Sequence, residues 1–359
     1  MKYTTLGKTG LQVSRLGFGG MRFPYVNGKP DLNESVRILN IGFDKGINFF
    51  DTGNFYCDGQ SENILGAFTA GKRDKVILST KNMKRAKAEF VKDFDQSLKN
   101  LKTDYIDLYH FWSLSGEDFK KVTAAEGLLE FAYRMKKEGR ARHFAFSFHD
   151  ENPANVKDII DSGMFESVLL SFSMINRVNG EWLEYAHKKG MGTAIMNPVA
   201  GGAIMSPNPK IKAYPNASNA RVALKFAFGL PYVDVALSGM SNEAQVLENC
   251  ENACGDYAFA QEDKECFENI CKVYDSLLRL YCTGCNYCKG CPAGIDIPAV
   301  FKIYNAAKVT WQGWGGAKTE YAKLKTRADK CTACGVCMKK CPQKLDIIKH
   351  LKECEKSLT

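Results

Sequence analysis

Residues 76–110 read VILSTKNMKRAKAEFVKDFDQSLKNLKTDYIDLYH and contain the repeating element on which the fold depends. Two apolar, strand-like runs at 76–80 and 105–110 flank an amphipathic stretch at 88–101, in which apolar residues recur at helical spacing. Apolar strands that are joined by a helix form parallel sheets, because the helix covers a face of the sheet. The stretch therefore predicts a strand–helix–strand unit.

The same unit recurs over about the first 240 residues. Strands are predicted at 14–19, 47–51, 76–80, 105–110, 143–148, 168–173, 192–196 and 233–238, and helices at 34–45, 62–70, 88–101, 128–138, 154–161, 182–188 and 217–228. Eight repeats predict a closed (β/α)₈ TIM barrel in the α/β class. An open sheet is disfavoured, because Gly17-Phe18-Gly19-Gly20 lacks the third glycine of a dinucleotide fingerprint and precedes no helix. Segments 2–6 and 11–13 predict a hairpin that plugs the barrel floor.

Eight of the 14 cysteines fall in two short runs near the C-terminus. The runs are Cys282-Thr-Gly-Cys285-Asn-Tyr-Cys288-Lys-Gly-Cys291-Pro292 and Cys331-Thr-Ala-Cys334-Gly-Val-Cys337-Met-Lys-Lys-Cys341-Pro342. This spacing predicts two [4Fe–4S] clusters, because three closely spaced thiolates ligate one cube while the cysteine before proline ligates the other. The predicted ligand sets are Cys282, Cys285, Cys288 and Cys341 for one cluster, and Cys331, Cys334, Cys337 and Cys291 for the other.

Two alternatives to electron-transferring clusters stay open. Structural zinc is one, although zinc usually takes two cysteine pairs that are separated by a dozen or more residues. The other is that the clusters serve only as staples for a tail with little core of its own. The predicted domains are a barrel at 1–255, a helical linker at 256–280, and a small α-rich domain like bacterial ferredoxin at 281–359.

The chain has a net charge of +9, and residues 281–359 account for +8 of it with 14 basic and 6 acidic residues. Two clusters with their thiolates carry roughly −2 each, which would cancel about half of the excess. The remaining charge favours an acidic electron-transfer partner, such as a ferredoxin or flavodoxin. Nucleic acid is not an expected partner, because the sequence contains no recognised nucleic-acid-binding module.

The sequence has no apolar run of the roughly 18 residues that a membrane helix needs. Its first residues, Met1-Lys-Tyr-Thr-Thr-Leu-Gly7, do not contain the apolar core of a signal peptide. The expected location is the cytoplasm, without a membrane partner.

Three segments of the barrel resemble the aldo-keto reductase family: Asn48-Phe-Phe-Asp51-Thr-Gly-Asn-Phe-Tyr56, Ile77-Leu-Ser-Thr-Lys81 and Asp104-Tyr-Ile-Asp-Leu-Tyr109-His110. The whole architecture resembles the subgroup with a ferredoxin-like C-terminal extension. The resemblance implies that Asp51, Tyr56, Lys81 and His110 are catalytic. The residues themselves support this, because strand ends converge at the mouth of a barrel and a nearby ammonium lowers the pKa of a tyrosine.

The sequence departs from the family pattern in the fourth strand. An ungapped alignment places Trp112 at the position of the family histidine, and His110 two residues earlier on the same face. His110 is therefore either the residue that orients the carbonyl or a core histidine, and both readings stay open.

The cofactor-binding segments also depart from the pattern. Phe148 follows Ser147 where the family commonly has asparagine, and Leu169 stands where it has glutamine. The phosphate loop resembles the family, and its predicted contacts are Gly239, Ser241, Asn242, Gln245 and Asn249. Gln245 lies where an arginine often binds the 2′-phosphate, so the sequence does not favour NADPH over NADH.

Three functions follow from these patterns. The first is an oxidoreductase that transfers a hydride between NAD(P)H and a small carbonyl or alcohol, with the clusters passing single electrons. A flavin would reconcile two-electron and one-electron steps, and barrels can bind its phosphate near the last two strands. The second is a ferredoxin-dependent reductase without nicotinamide. The third is a non-enzymatic barrel that senses redox state.

Overall fold

A computed structural model describes residues 1–124, 128–149, 153–205, 211–277, 280, 282–309 and 313–359. Within these residues, eight parallel strands close into a barrel in the order β3, β6, β7, β8, β9, β10, β11, β12. The strands of the described chain are β1 Tyr3–Thr5, β2 Gln12–Ser14, β3 Leu16–Gly19, β4 Tyr25–Val26, β5 Lys29–Pro30, β6 Phe49–Asp51, β7 Ile77–Asn82, β8 Ile106–Phe111, β9 Ala141–Ser147, β10 Ser167–Ser171, β11 Gly192–Met196 and β12 Val235–Ser238. The predicted barrel and its eight strands are confirmed.

Alternate residues of each barrel strand point inward, as the two-residue period of a strand requires. One inner layer consists of apolar side chains, which fill the barrel: Phe49, Ile77, Leu108, Ala145, Leu169, Ala194, Val235 and Leu237. Leu6 and Val13 from the antiparallel β1–β2 hairpin are fully buried in the same cluster. The hairpin therefore closes the floor of the barrel, as predicted, and the polar inward residues lie toward the opposite end.

The helices follow the barrel strands and then continue into the tail. They are α1 Leu32–Asp44, α2 Ser61–Phe68, α3 Lys87–Leu101, α4 Gly116–Ala124, α5 Leu128–Lys137, α6 Val156–Asp161, α7 Gly180–Lys188, α8 Asn219–Phe228, α9 Glu243–Cys254, α10 Gln261–Leu277, α11 Ile297–Val309, α12 Gly313–Ala322, α13 Val336–Lys340 and α14 Ile347–Leu358. The seven helices predicted for the barrel are present, and α4 is an addition in the segment after β8.

The chain divides into two compact units, one of residues 1–198 and 223–258, the other of residues 199–222 and 259–359. The second unit thus includes a segment that follows β11, which the predicted domain ranges place in the barrel. The tail in this unit has an apolar core of its own, in which Val300, Phe301, Tyr321, Leu351 and Leu358 are buried. The clusters are therefore not the only source of order that the tail has.

Candidate functional site

Asp51 and Lys81 form a buried ion pair at the carboxyl ends of two neighbouring strands. β6 and β7 pair so that Asp51 lies opposite Ser79, two residues before Lys81. The Lys81 ammonium donates to Asp51 Oδ1 and, at 2.6 Å, to the Thr52 carbonyl oxygen. The Ser79 hydroxyl donates to Asp51 Oδ2 at 2.6 Å. These contacts fix the ammonium in one position at the inner wall of the barrel.

Tyr56 lies in the loop after β6, and its ring lies over the Lys81 ammonium. Lys81 Nζ is 4.9 Å from the centre of the ring, and Tyr56 is only 8% exposed. Gly53 lies against the ring, where a Cβ would be 3.3 Å from its carbon atoms. Asp51, Tyr56 and Lys81, which the sequence analysis predicted as site residues, thus lie together.

The pKa of Lys81 is lowered by burial, and the Asp51 carboxylate opposes that shift. Burial and the Asp51 charge both act on the Lys81 side chain, which is only 1% exposed. An ammonium that is held next to a phenol favours the tyrosinate form, because opposite charges at short range attract. The arrangement can therefore assist a tyrosine that gives a proton to a substrate and takes it back.

His110 lies inside the barrel, one strand over from Lys81. The two residues are register partners in β7 and β8, and His110 is 2% exposed. Neither ring nitrogen makes a hydrogen bond of good geometry with a described residue. Burial, and then the Lys81 charge, lower the pKa of His110 well below its usual range, and a contact with the Phe146 main chain opposes the shift. His110 is therefore a neutral imidazole enclosed in the barrel.

Trp112 lies beyond the end of β8, at the mouth of the barrel. Its amide donates to the Asn82 carbonyl oxygen at 2.9 Å, and its ring centre is 5.2 Å from that of Phe55. On its other side lies the His149 ring, with a centre-to-centre distance of 6.1 Å. His149 is half-buried and was not among the predicted site residues. The sequence feature that could have identified His149 as a site residue is its position two residues after Ser147, just beyond the end of the neighbouring strand β9.

The predicted nicotinamide contacts are divided between polar and apolar residues. The Ser147 hydroxyl accepts a hydrogen bond from the Ser113 amide at 2.8 Å and is buried at the end of β9. Phe148 is buried, and Leu169 belongs to the apolar inner layer of the barrel. Ser147 is thus the only one of these three positions with a side chain that can hydrogen-bond to an amide.

The predicted phosphate loop leads from β12 into α9. The Asn242 side chain caps the helix by accepting from the Gln245 amide at 3.0 Å, and the Gln245 side chain accepts from the Ser241 amide at 2.8 Å. Asn249 donates to the Ser238 hydroxyl at 3.0 Å. The side chain of Arg22, which was not predicted, runs past Gly239, where a Cβ would be 3.1 Å from it. Amides in the first turn of a helix are common phosphate ligands.

The first set of cysteines lines a single cavity in the second unit. Cys282, Cys285, Cys288 and Cys341 all line this cavity. Burial raises the pKa of Cys282 to about 11 and that of Cys288 to about 12. Cysteines from two distant runs thus line one cavity, as the predicted ligand set of a [4Fe–4S] cluster requires, although the described residues include no group of three or more thiols, imidazoles or carboxylates already close enough to hold a single metal ion.

The second set of cysteines, Cys291, Cys331, Cys334 and Cys337, lies closer to the protein surface than the first set. Burial raises the pKa of Cys337. A hydrogen bond with the Met338 main chain opposes this rise, and the charges of Cys331 and Cys291 add to it. Cys334 is exposed. Cys341 lies with the first run, as the spacing predicts, whereas the assignment of Cys291 to the second cluster stays a prediction from the spacing.

The sequence of the barrel matches a family model that is described as the Aldo/keto reductase family, over residues 15–217. The chain belongs to the aldo/keto reductase family. A 4Fe-4S dicluster domain matches residues 281–347, which include both runs of cysteines. The recognition made from the motifs is thus confirmed for the barrel and for the tail.

Several relatives of this aldo/keto reductase carry the names of oxidoreductases. It is 26% identical to the uncharacterized oxidoreductase YqkF of Bacillus subtilis, over 70% of this chain and 91% of that protein. It is also 26% identical to L-galactose dehydrogenase of Arabidopsis thaliana, over 68% and 85% of the two chains. The structure of aldo-keto reductase AKR11C1 from Bacillus halodurans, in its holo form, matches with a TM-score of 0.65 and 25% identity, over 75% of this chain and 96% of that one.

None of the helices in the described part of the chain could span a bilayer.

Asp51→Asn is expected to destabilise this aldo/keto reductase by about 3–5 kcal/mol, because it leaves the buried Lys81 ammonium without its counter-charge. The double variant Asp51→Asn/Lys81→Met is expected to recover most of that loss, since neither charge remains. Free energies of unfolding from urea titrations measure both. A double variant as unstable as Asp51→Asn would show that the loss does not come from an unpaired ammonium.

His110→Leu is expected to reduce the acid sensitivity of the fold. In the native state His110 stays neutral, whereas in the unfolded chain it binds a proton below a pH of about 6.5, so acid favours unfolding by about 1.4 kcal/mol per pH unit. This stability is present above that pH and is lost as the pH falls. The difference in unfolding free energy between wild type and His110→Leu, measured from pH 7.5 to 5, should follow this slope. His187→Gln, at an exposed histidine, is the control, and equal slopes in all three proteins would refute the prediction.

Proposed function

We propose that the barrel interconverts a small carbonyl compound and its alcohol with NAD(P)H, and that two [4Fe–4S] clusters in the tail pass single electrons to or from the nicotinamide that this reaction uses. The observation that carries the proposal is the approach of the Tyr56 ring to the Lys81–Asp51 pair, 4.9 Å from the ammonium. A binding module does not need this combination, whereas a proton donor at a barrel mouth does.

In the proposed mechanism, Tyr56 donates its phenolic proton to the carbonyl oxygen and recovers it in the reverse direction. The Lys81 ammonium stabilises the phenolate that forms, and Asp51 and the Thr52 carbonyl oxygen keep the ammonium in place. Burial of Lys81 strengthens this effect, because charges interact more strongly where water is excluded. His110 is proposed to orient the carbonyl as a neutral imidazole.

The residues fit a nicotinamide cofactor better at its phosphate end than at its amide end. Gly239, Ser241 and the first turn of α9 would hold the phosphates, and Ser147 would contact the amide. When bound, the cofactor supplies hydride to the carbonyl carbon. Phe148 and Leu169, both buried, would present apolar side chains to that amide.

The cysteine sets fit two clusters, and the independent core of the tail supports a role for them beyond stapling. When bound, the clusters supply single electrons. A nicotinamide transfers two electrons at once, so a two-electron to one-electron exchange must occur in the protein, and flavin is the cofactor class that performs it.

A ferredoxin-dependent reductase without nicotinamide is the second candidate. The observation that favours it is the apolar pair Leu169 and Phe148, which leaves Ser147 alone to bind the carboxamide. In this case the same Tyr56 proton would accompany electrons that arrive through the tail.

The test is anaerobic purification, followed by assays of iron, sulfide and extracted cofactors, and by turnover of a panel of small carbonyls. The proposal expects turnover with NADH or NADPH. Turnover with dithionite or reduced ferredoxin, but with neither nicotinamide, would replace it by the second candidate. A protein with clusters that turns over no carbonyl with any donor would refute both candidates and favour redox sensing.

A further inference from the structure

The two cysteine sets of the tail differ in their shielding from solvent. The cavity of the first set is lined by apolar side chains, which include Ile297, Pro298, Phe301, Leu345 and Ile347. In the second set, Cys334 is exposed, and its neighbours Thr332 and Ala333 are exposed as well. A redox centre at the surface lies closer to a docked partner, so it exchanges electrons faster than a shielded one.

Exposed lysines flank the second run of cysteines, 331–341, along the chain. Lys330 precedes Cys331, Lys339 and Lys340 end α13 between Cys337 and Cys341, and Lys344 donates its amide to the Cys341 carbonyl oxygen at 3.1 Å. We call Lys330, Lys339, Lys340 and Lys344 the lysine rim.

The charge of the lysine rim is mostly unbalanced by neighbouring acids. Lys330 pairs with Asp329 at 3.0 Å, whereas Lys339, Lys340 and Lys344 form no ion pair with a described residue. Residues 281–359 carry +8, and the roughly −4 of two clusters would leave an excess of about +4.

We propose that the second set, Cys291, Cys331, Cys334 and Cys337, is the port through which electrons enter and leave, and that the lysine rim binds an acidic one-electron carrier protein of the ferredoxin or flavodoxin class. This inference rests on the proposed function, because it requires clusters in both cysteine sets. Positive charge around a redox centre attracts an acidic carrier and orients it for transfer.

The electron balance of this exchange is simple. Each encounter moves one electron from the reduced carrier to the port, so the carrier is oxidised by one electron and the port is reduced by one, without transfer of a proton. Two encounters deliver one electron pair, which together with one proton from solvent would restore NAD(P)⁺ to NAD(P)H after its hydride, with the proton from Tyr56, has converted the carbonyl into an alcohol. The carrier works in the opposite direction when the alcohol is oxidised.

The test uses the full chain with its clusters and an acidic flavodoxin as the probe. The protein is reduced with dithionite, freed of excess reductant, and mixed with oxidised flavodoxin in an anaerobic stopped-flow instrument. Lys339→Glu/Lys340→Glu is compared with Lys302→Glu/Lys318→Glu, which makes the same change in net charge on α11 and α12 of the same unit. Methyl viologen, a dication, serves as a second electron acceptor.

The rim variant is expected to reduce flavodoxin roughly tenfold more slowly at low ionic strength, and salt should slow the wild type by a similar factor. Binding of oxidised flavodoxin, measured by calorimetry, should weaken in parallel, while the rate with methyl viologen should not fall. Equal losses in the control variant, or a wild-type rate that salt does not change, would overturn the proposal. A salt-sensitive affinity for a short DNA duplex that exceeds the affinity for flavodoxin, and that the rim variant loses, would also overturn it.

Failure of this inference can be distinguished from failure of the proposed function. No carbonyl substrate or nicotinamide is present in the electron-transfer assay, so a barrel with another activity leaves its result unchanged. Conversely, turnover of carbonyls with NAD(P)H can be intact in a protein whose rim variant behaves like wild type, in which case only the port is wrong.

Discussion

Tyr56→Phe is expected to lower kcat for carbonyl reduction by about 10²–10⁴-fold, with little change in KM, because it removes the proton donor of the proposed mechanism. Phenylalanine keeps the ring that packs against Gly53 and lies 4.9 Å from the Lys81 ammonium, so only the hydroxyl is lost. The measurement is anaerobic steady-state reduction of the carbonyl panel, with iron content confirmed to be unchanged.

Tyr25→Phe is the matched control for this variant. Tyr25 is 49% exposed, and its hydroxyl donates to Asp58, two residues after Tyr56, at 3.2 Å. Loss of that hydroxyl is expected to leave kcat within about twofold of wild type, since substitutions at exposed positions have small effects. A Tyr56→Phe enzyme as active as Tyr25→Phe would remove Tyr56 from the reaction and leave the Lys81–Asp51 pair as a structural feature.

Double substitutions of cysteines are expected to show which thiols ligate the same cluster. Cys285→Ala should destroy one of two four-iron clusters, and Cys341→Ala should destroy the same one, because both side chains line the first cavity. The double variant Cys285→Ala/Cys341→Ala should therefore keep the second cluster. Cys285→Ala/Cys291→Ala should keep neither, because the spacing of the runs assigns Cys291 to the second cluster.

Iron and sulfide analysis, together with electron paramagnetic resonance of the oxidised and reduced protein, counts the intact four-iron clusters in each variant. Cys354→Ala, at a fully buried cysteine of the tail core outside both sets, is the control and should keep two clusters. If Cys285→Ala/Cys341→Ala kept none and Cys285→Ala/Cys291→Ala kept one, each run would hold its own cluster, and the exchange of the last cysteine would be wrong.

The exchange of cysteines illustrates how much of the site was accessible from the sequence. The spacing of each run is a local property, so it predicted the cluster ligands and the pairing of Cys341 with the first run. What surrounds each set is not local, because the shielding residues come from α11 and from the segment after Cys341. The difference between a shielded and an exposed set therefore emerged only when these segments were packed together.

The candidate catalytic residues show the same division. Asp51 and Lys81 were predictable, because each ends a strand and parallel strands end at the same mouth of a barrel. The place of His110 was not, because the choice between His110 and Trp112 depends on where β8 ends and on how deeply each residue lies. In the structure, β8 ends at Phe111, so His110 is enclosed and Trp112 contacts Phe55 at the mouth of the barrel.

The sequence by itself determined the barrel, its eight strands, the family, and the two cysteine runs, because hydrophobic period and residue spacing act over short stretches of chain. The tertiary structure alone decided the approach of Tyr56 to Lys81, the burial of His110, and the exposure of Cys334. Each of these depends on the closure of strands or helices that are far apart in sequence, and no local pattern specifies the distance between them.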